Sequence, residues 1–187
     1  MLDGKTAVLS EQQGEGFFLA QFKTVDLSIL TYYIESEGQA ILIDPTLDTQ
    51  AFVELATQRK AEIKALALTH YHSDFLSGHT QFKVPVLMGK HAKHPTNKFD
   101  IQELEDGSSY KLGKIELKAI HTPGHTLEST CFLLSDANDS EQALFTGDTL
   151  FVDDAGRPDL AAAPDSTLED LLSALFESLQ KIKAFKN

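Results

Sequence analysis

Short apolar runs separated by turn-forming clusters dominate the chain. FFLAQF (17–22), LSILTYYI (27–34), AILID (40–44), ALALT (65–69), VPVLMG (84–89), KIELKAI (114–120), TCFLL (130–134) and ALFTG (143–147) are rich in β-branched or aromatic residues. They predict strands, many of them in the core of a sheet. Two stretches carry a helical period instead. In DTQAFVELATQRK (48–60), Phe52, Val53, Leu55 and Ala56 gather on one stripe, with Asp48 as the expected N-cap. In the last segment Leu168, Leu171, Leu172, Leu175, Phe176, Leu179 and Ile182 recur at threes and fours, and Ser166-Thr167-Leu168-Glu169 fits a capping box.

Turn residues mark the joints at Asp44-Pro45, Glu105-Asp106-Gly107 and Pro123-Gly124, yet no repeat or low-complexity linker divides the sequence. A single α/β domain over residues 1–187 is expected, with helices covering strand-rich layers. GKHAKHPTNKFD (89–100) sets His91 and His94 among lysines and reads as a solvated loop. Tyr32 and Tyr33 alternate faces on a strand, so only one of them should face the core.

Charge narrows the choice of partners. Sixteen Lys+Arg against 28 Asp+Glu give a net charge of -12, a field that repels nucleic acid and anionic membranes. An anionic small molecule would need a local positive centre, either a metal ion or one of the two arginines, Arg59 and Arg157. No apolar run approaches the ~20 residues of a membrane span. Cys131, the sole cysteine, lies in a strand-like run and reads as a buried structural residue. With no pair for a disulfide and no signal-peptide pattern, the cytoplasm is the expected compartment, or the mitochondrial matrix if a leader has been removed.

Candidate chemistry gathers where strand-like runs give way to loops. In THYHSDFLSGH (69–79), alternation sends His70, His72 and Asp74 to one side, directly after a probable buried strand. HTPGHT ends a second run at His121 and turns His125 outward, and FTGD ends a third at Asp148 after Gly147. Imidazoles and a carboxylate suit zinc, iron or manganese, and two histidines with one carboxylate form the facial triad of non-haem iron oxygenases. His79 and His121 are expected to be ordinary hydrogen-bonded residues.

THYHSD, TPGHT and FTGD, in this order, resemble the metal motifs of the metallo-β-lactamase fold, an αβ/βα sandwich with its metal site between two sheets at one edge. HSDFLSGH, HTPGHTLEST and GDTLFVDDAGRPDL are most similar to the persulfide dioxygenases, especially the branch often fused to rhodanese domains. That resemblance implies one Fe(II) held by His70, His125 and Asp148, with His72 and Asp74 beside the open positions as catalytic residues. It implies that Arg157 holds its loop or the anionic thiol substrate, and that Thr126 supports His125 by hydrogen bonding near the substrate. Phe75 stands where dinuclear relatives carry a histidine for a second metal, which favours a single ion.

The implied reaction is oxidation of a low-molecular-weight persulfide, glutathione persulfide first, by O2 to sulfite and thiol. The enzymatic alternative is a zinc-dependent thioester hydrolase of the glyoxalase II type, with His70, His72 and His125 on Zn2+. The resemblance also implies a C-terminal truncation, because the family's last strand and Pro-x-His-Gly motif have no counterpart here. A homo-oligomer, or a non-catalytic subunit that completes its sheet with a partner chain, is the corresponding third expectation.

Overall fold

The computed structural model describes residues 6–25, 28–90, 99–160 and 166–185. His91 and His94 lie outside them. The chain opens with a meander: β1 (Thr6–Gly14), β2 (Phe17–Thr24), β3 (Ile29–Ser36) and β4 (Gln39–Ile43) pair antiparallel in order. Helix α1 (Gln50–Arg59) then crosses over to β5 (Glu62–Ala67), and β6 (Val86–Gly89) and β7 (Ile101–Leu104) continue the same sheet in parallel. A second, antiparallel sheet has the order β11-β10-β9-β8, formed by β8 (Ser109–Leu112), β9 (Ile115–His121), β10 (Thr130–Ser135) and β11 (Glu141–Phe145). Helix α2 (Leu168–Ile182) follows. No helix among the described residues is long and apolar enough to cross a membrane.

The strand residues split into three apolar layers. Phe17, Ile34, Ile41 and Ile43 of the larger sheet meet Leu117, Ala119, Phe132 and Leu134 of the smaller one. On the outer face of the larger sheet, Phe22, Leu42 and Leu66 pack with Phe52 and Ala56 of α1. On the outer face of the smaller sheet, Ile120, Cys131 and Leu133 pack with Ile182 of α2. The order helix, sheet, sheet, helix is the expected αβ/βα sandwich, because strands buried on both faces need a cover on each. Tyr33 is fully buried toward α1, whereas Tyr32 is half-buried against Phe145 between the sheets.

Several local expectations need correction. The α1 N-cap is Thr49, not Asp48; Asp48 instead accepts a hydrogen bond from the Gln50 amide through Oδ1. The α2 capping box is one residue later than expected, on Thr167 and Asp170, whose side chains and backbone amides satisfy each other. Sequence spacing permits either register, and docking of the helix selects the one that buries Leu171, Leu175 and Ile182. The apolar stripe is correspondingly divided: Leu168, Leu172 and Phe176 are exposed. Strands β1, β7 and β8 were not expected. β1 is almost wholly exposed and is held by pairing with β2, while β7 and β8 are short ladder partners of β6 and β9.

Candidate metal centre

Both sheets contribute to one edge of the sandwich. The backbone just past β5 meets the start of β10, with Thr130 N donating to Thr69 O at 2.9 Å. Gly147, at φ +48°, follows β11, and a side chain there would collide with the Thr69 hydroxyl and Cβ. Glycine therefore lets the loop carrying Asp148 lie directly on the segment carrying His70. A further tie is Glu128, whose carboxylate accepts a hydrogen bond from Tyr71 N.

The ligand atoms of His70, His125 and Asp148 lie within 4.8 Å of one another. His70 is buried, and its ring centroid is 4.9 Å from that of His125. Asp148 Oδ2 lies 3.9 Å from His70 Nε2 and 3.6 Å from His125 Nε2. Burial first, then the neighbouring His72, pulls the His70 pKa down to about 4, so this imidazole is neutral at pH 7. The approach to Asp148 is then no ion pair; it places a nitrogen lone pair beside a carboxylate. Burial also raises the Asp148 pKa, the reverse of what an adjoining cation would do. Two imidazoles and a carboxylate converging in this way fit a divalent transition-metal ion.

Hydrogen bonds select the tautomer of each histidine. Asp44 Oδ2 accepts from the Thr69 hydroxyl at 2.7 Å, and that hydroxyl lies 3.0 Å from His70 Nδ1. Having given its only proton to Asp44, the hydroxyl accepts from Nδ1–H, leaving the Nε2 lone pair facing Asp148. His125 Nδ1 lies 3.2 Å from the Arg157 carbonyl, which can only accept, so Nδ1–H donates and Nε2 again carries the free lone pair.

His72 stands beside the cluster, its ring centroid 4.2 Å from that of His70, but directs its Nε2 at Asp44 and is not among the three converging donors. Its Nε2 is 3.0 Å from Asp44 Oδ1, close enough for an ion pair but outside hydrogen-bond geometry. Phe75 packs on its ring at 4.2 Å between centroids. Burial lowers the His72 pKa, but the carboxylates around it, Asp44 first and then Asp148 and Asp74, together outweigh burial and the net shift is upward. Asp44 is itself buried, and burial alone would raise its pKa. The charge of His72, aided by the Thr69 amide, holds it below the ordinary carboxylate value instead. Asp44 also has φ +49°, a left-handed backbone that is costly outside glycine, held by Thr31 Oγ1 donating to its carbonyl.

Sequence reasoning treated Asp44 only as part of a turn; an aspartate ending a buried strand was the available signal. Asp74 is exposed and outside the three-donor cluster. Thr126 bonds Ser129 through its hydroxyl and shapes the turn after His125. The exposed Arg157 side chain forks onto Asp159. His121 has a structural setting: Nε2 pairs with the Leu127 carbonyl and the amide donates to Asp106. His79 stacks edge-on against Phe99.

The metallo-beta-lactamase superfamily model matches residues 24–185. The chain belongs to that superfamily, a metal-dependent family of enzymes. A hydroxyacylglutathione hydrolase of Francisella tularensis subsp. novicida is 32% identical over 154 residues, covering 81% of this chain and 56% of that protein. A probable polyketide biosynthesis zinc-dependent hydrolase, BaeB of Bacillus velezensis, is 30% identical over 80% of this chain and 63% of its own length. The chain thus spans little more than half the length of these curated relatives. A metallo-beta-lactamase structure from Staphylococcus aureus subsp. aureus COL superposes with TM-score 0.82 at 30% identity, covering 93% of this chain and 54% of that one. ETHE1 from Myxococcus xanthus shares the fold at TM-score 0.71 and 24% identity, with 88% and 68% covered.

Proposed function

We propose that the chain is a mononuclear iron-dependent dioxygenase for a low-molecular-weight persulfide, glutathione persulfide first among them, with His70, His125 and Asp148 as the ligands. The observation that carries this reading is the division of the histidines. Three donors converge, while His72 pairs with Asp44 and is covered by Phe75. A phenyl ring offers no lone pair for a second ion, so a two-metal clamp gains no support from this loop.

In the overall reaction the S–S bond of the persulfide breaks. The outer sulfur gains two oxygen atoms from O2 and one from water to become sulfite, and the inner sulfur leaves as the thiol. When bound, iron would supply the redox chemistry toward dioxygen. The protein fixes both imidazoles as Nε2 donors, places one carboxylate between them, and keeps His70 dry and neutral. His72 and Asp74 are proposed to act beside the reacting sulfur, with His72 a proton donor whose charge Asp44 sustains.

The curated relatives favour a second reading, a zinc-dependent hydrolase of a glutathione thioester, in which His72 would turn from Asp44 to the ion. Elemental analysis of protein purified without added metal, followed by an oxygen-electrode assay with glutathione persulfide, separates the two. One iron per chain with O2 uptake and sulfite release is expected. Stoichiometric zinc with O2-independent thioester cleavage would select the hydrolase. His125→Ala should lose both metal and turnover, and retained iron would overturn the ligand assignment.

A further inference from the structure

We infer that Gly156-Arg157-Pro158-Asp159 is a clasp on the metal site, and that Arg157 is a positioning residue acting through its main-chain carbonyl rather than a contact for the substrate. The inference rests on the ligand assignment proposed above and adds what holds one of those ligands in place.

After Asp148 the chain makes a closed excursion. Phe151 N donates to Asp154 O at 2.8 Å, and Leu150 bridges to Ala155, so the backbone returns to the site at Gly156. There it touches both neighbouring ligand residues: a Cβ on Gly156 would stand 1.8 Å from the Asp148 carbonyl oxygen and 2.8 Å from His125 Cβ. Backbone cannot yield to such an overlap, so only glycine permits the approach. One residue later, the Arg157 carbonyl meets His125 Nδ1 at 3.2 Å. Because a carbonyl only accepts, it requires the proton on Nδ1 and leaves Nε2, 3.6 Å from Asp148 Oδ2, free to ligate.

The guanidinium is engaged on its own loop. Nε and one terminal nitrogen donate to the two carboxylate oxygens of Asp159 at 3.1 and 2.6 Å, a planar fork that closes a ring over residues 157–159. Pro158 inside that ring is buried, and its restricted φ stiffens the turn. An exposed ion pair adds little to global stability. Its consequence is geometric: it fixes the direction of the carbonyl on the other side of the same residue.

Zn2+ competition against a chelator, using metal-free full chain and its Arg157→Ala and Asp159→Ala variants, tests the clasp without relying on turnover. Nitrogen NMR of the His125 ring reads the tautomer in the same samples. Both variants should bind Zn2+ about 2- to 5-fold more weakly and show a weaker preference for the Nδ1–H tautomer, with melting temperature little changed. Gly156→Ala should show a larger loss in the same direction. Unchanged Zn2+ affinity and tautomer in the two surface variants, with a tenfold rise in KM for the persulfide, would overturn the clasp and return Arg157 to substrate binding. A wild-type chain that binds no Zn2+ would sink the ligand assignment and the clasp together.

Discussion

Asp44 serves both sides of the site from a left-handed backbone that Thr31 holds in place. Its carboxylate positions His70 through Thr69 and charges His72 directly. Asp44→Asn keeps the shape and removes the charge. The raised His72 pKa should then fall below its ordinary 6.5, as an NMR titration of the metal-free protein would read, and the fold should lose about 3 kcal/mol. The signs of linkage differ between the two histidines. With its folded pKa raised, the stabilisation from His72 is present below 6.5 and is lost as pH rises through the folded value. With its folded pKa near 4, His70 makes the fold less stable as pH falls from 6.5 toward 4. In Asp44→Asn the first effect should change sign, while the second should persist and deepen, because Asp44 raises the His70 pKa. Cys131 yields another expectation at this scale. Burial pushes its thiol up to about 11, so a thiol reagent at pH 8 should fail to label the native protein and label it fully after unfolding. Rapid native labelling would refute the buried placement. His70 and Asp148 were legible as candidates because each follows a strand-like run, and His125 because it follows the turn after one; singling out these three over His72 and Asp74 rested on the resemblance of the motifs. Asp44 was not legible, because a carboxylate before proline looks like a turn until the fold sets the end of β4 beside the end of β5.

At the scale of elements, the α2 cap discriminates between two registers that the sequence alone allows. Thr167→Ala should destabilise the protein by about 1 kcal/mol in denaturant unfolding, while Ser166→Ala should be close to neutral. The reverse ranking would restore the earlier register. This helix also supports the site, since Ser178 Oγ donates to the Pro123 carbonyl in the turn that precedes His125. The apolar strands were readable from their own composition, because burial on both faces leaves an unbroken run. β1 carries no such signature: Val8 and Leu9 are exposed, and the strand exists through its ladder with β2. Periodicity also overstated the buried face of α2, since it identifies apolar positions but not how many have something to pack against.

Across the whole molecule the sequence carries a net charge of -12, against which three apolar layers hold the fold together. Its self-repulsion is screened as the Debye length falls from about 30 Å at 0.01 M salt to about 8 Å at 0.15 M. The melting temperature should therefore rise with sodium chloride over that range, and a fall would indicate that local ion pairs outweigh the global field. The sandwich order was legible from the motifs and the strand pattern together, whereas the pairing of the larger sheet, antiparallel through β4 and parallel beyond, emerges only when α1 crosses over. The proposed ligands belong to both sheets: His70 follows β5, while His125 and Asp148 follow β9 and β11. Any opening that parts the layers at this edge must also part the donors. An ion bound there would act as a rivet, and amide exchange at Thr130, whose hydrogen bond to Thr69 spans the seam, should slow on metal loading while exchange in exposed β1 stays the same.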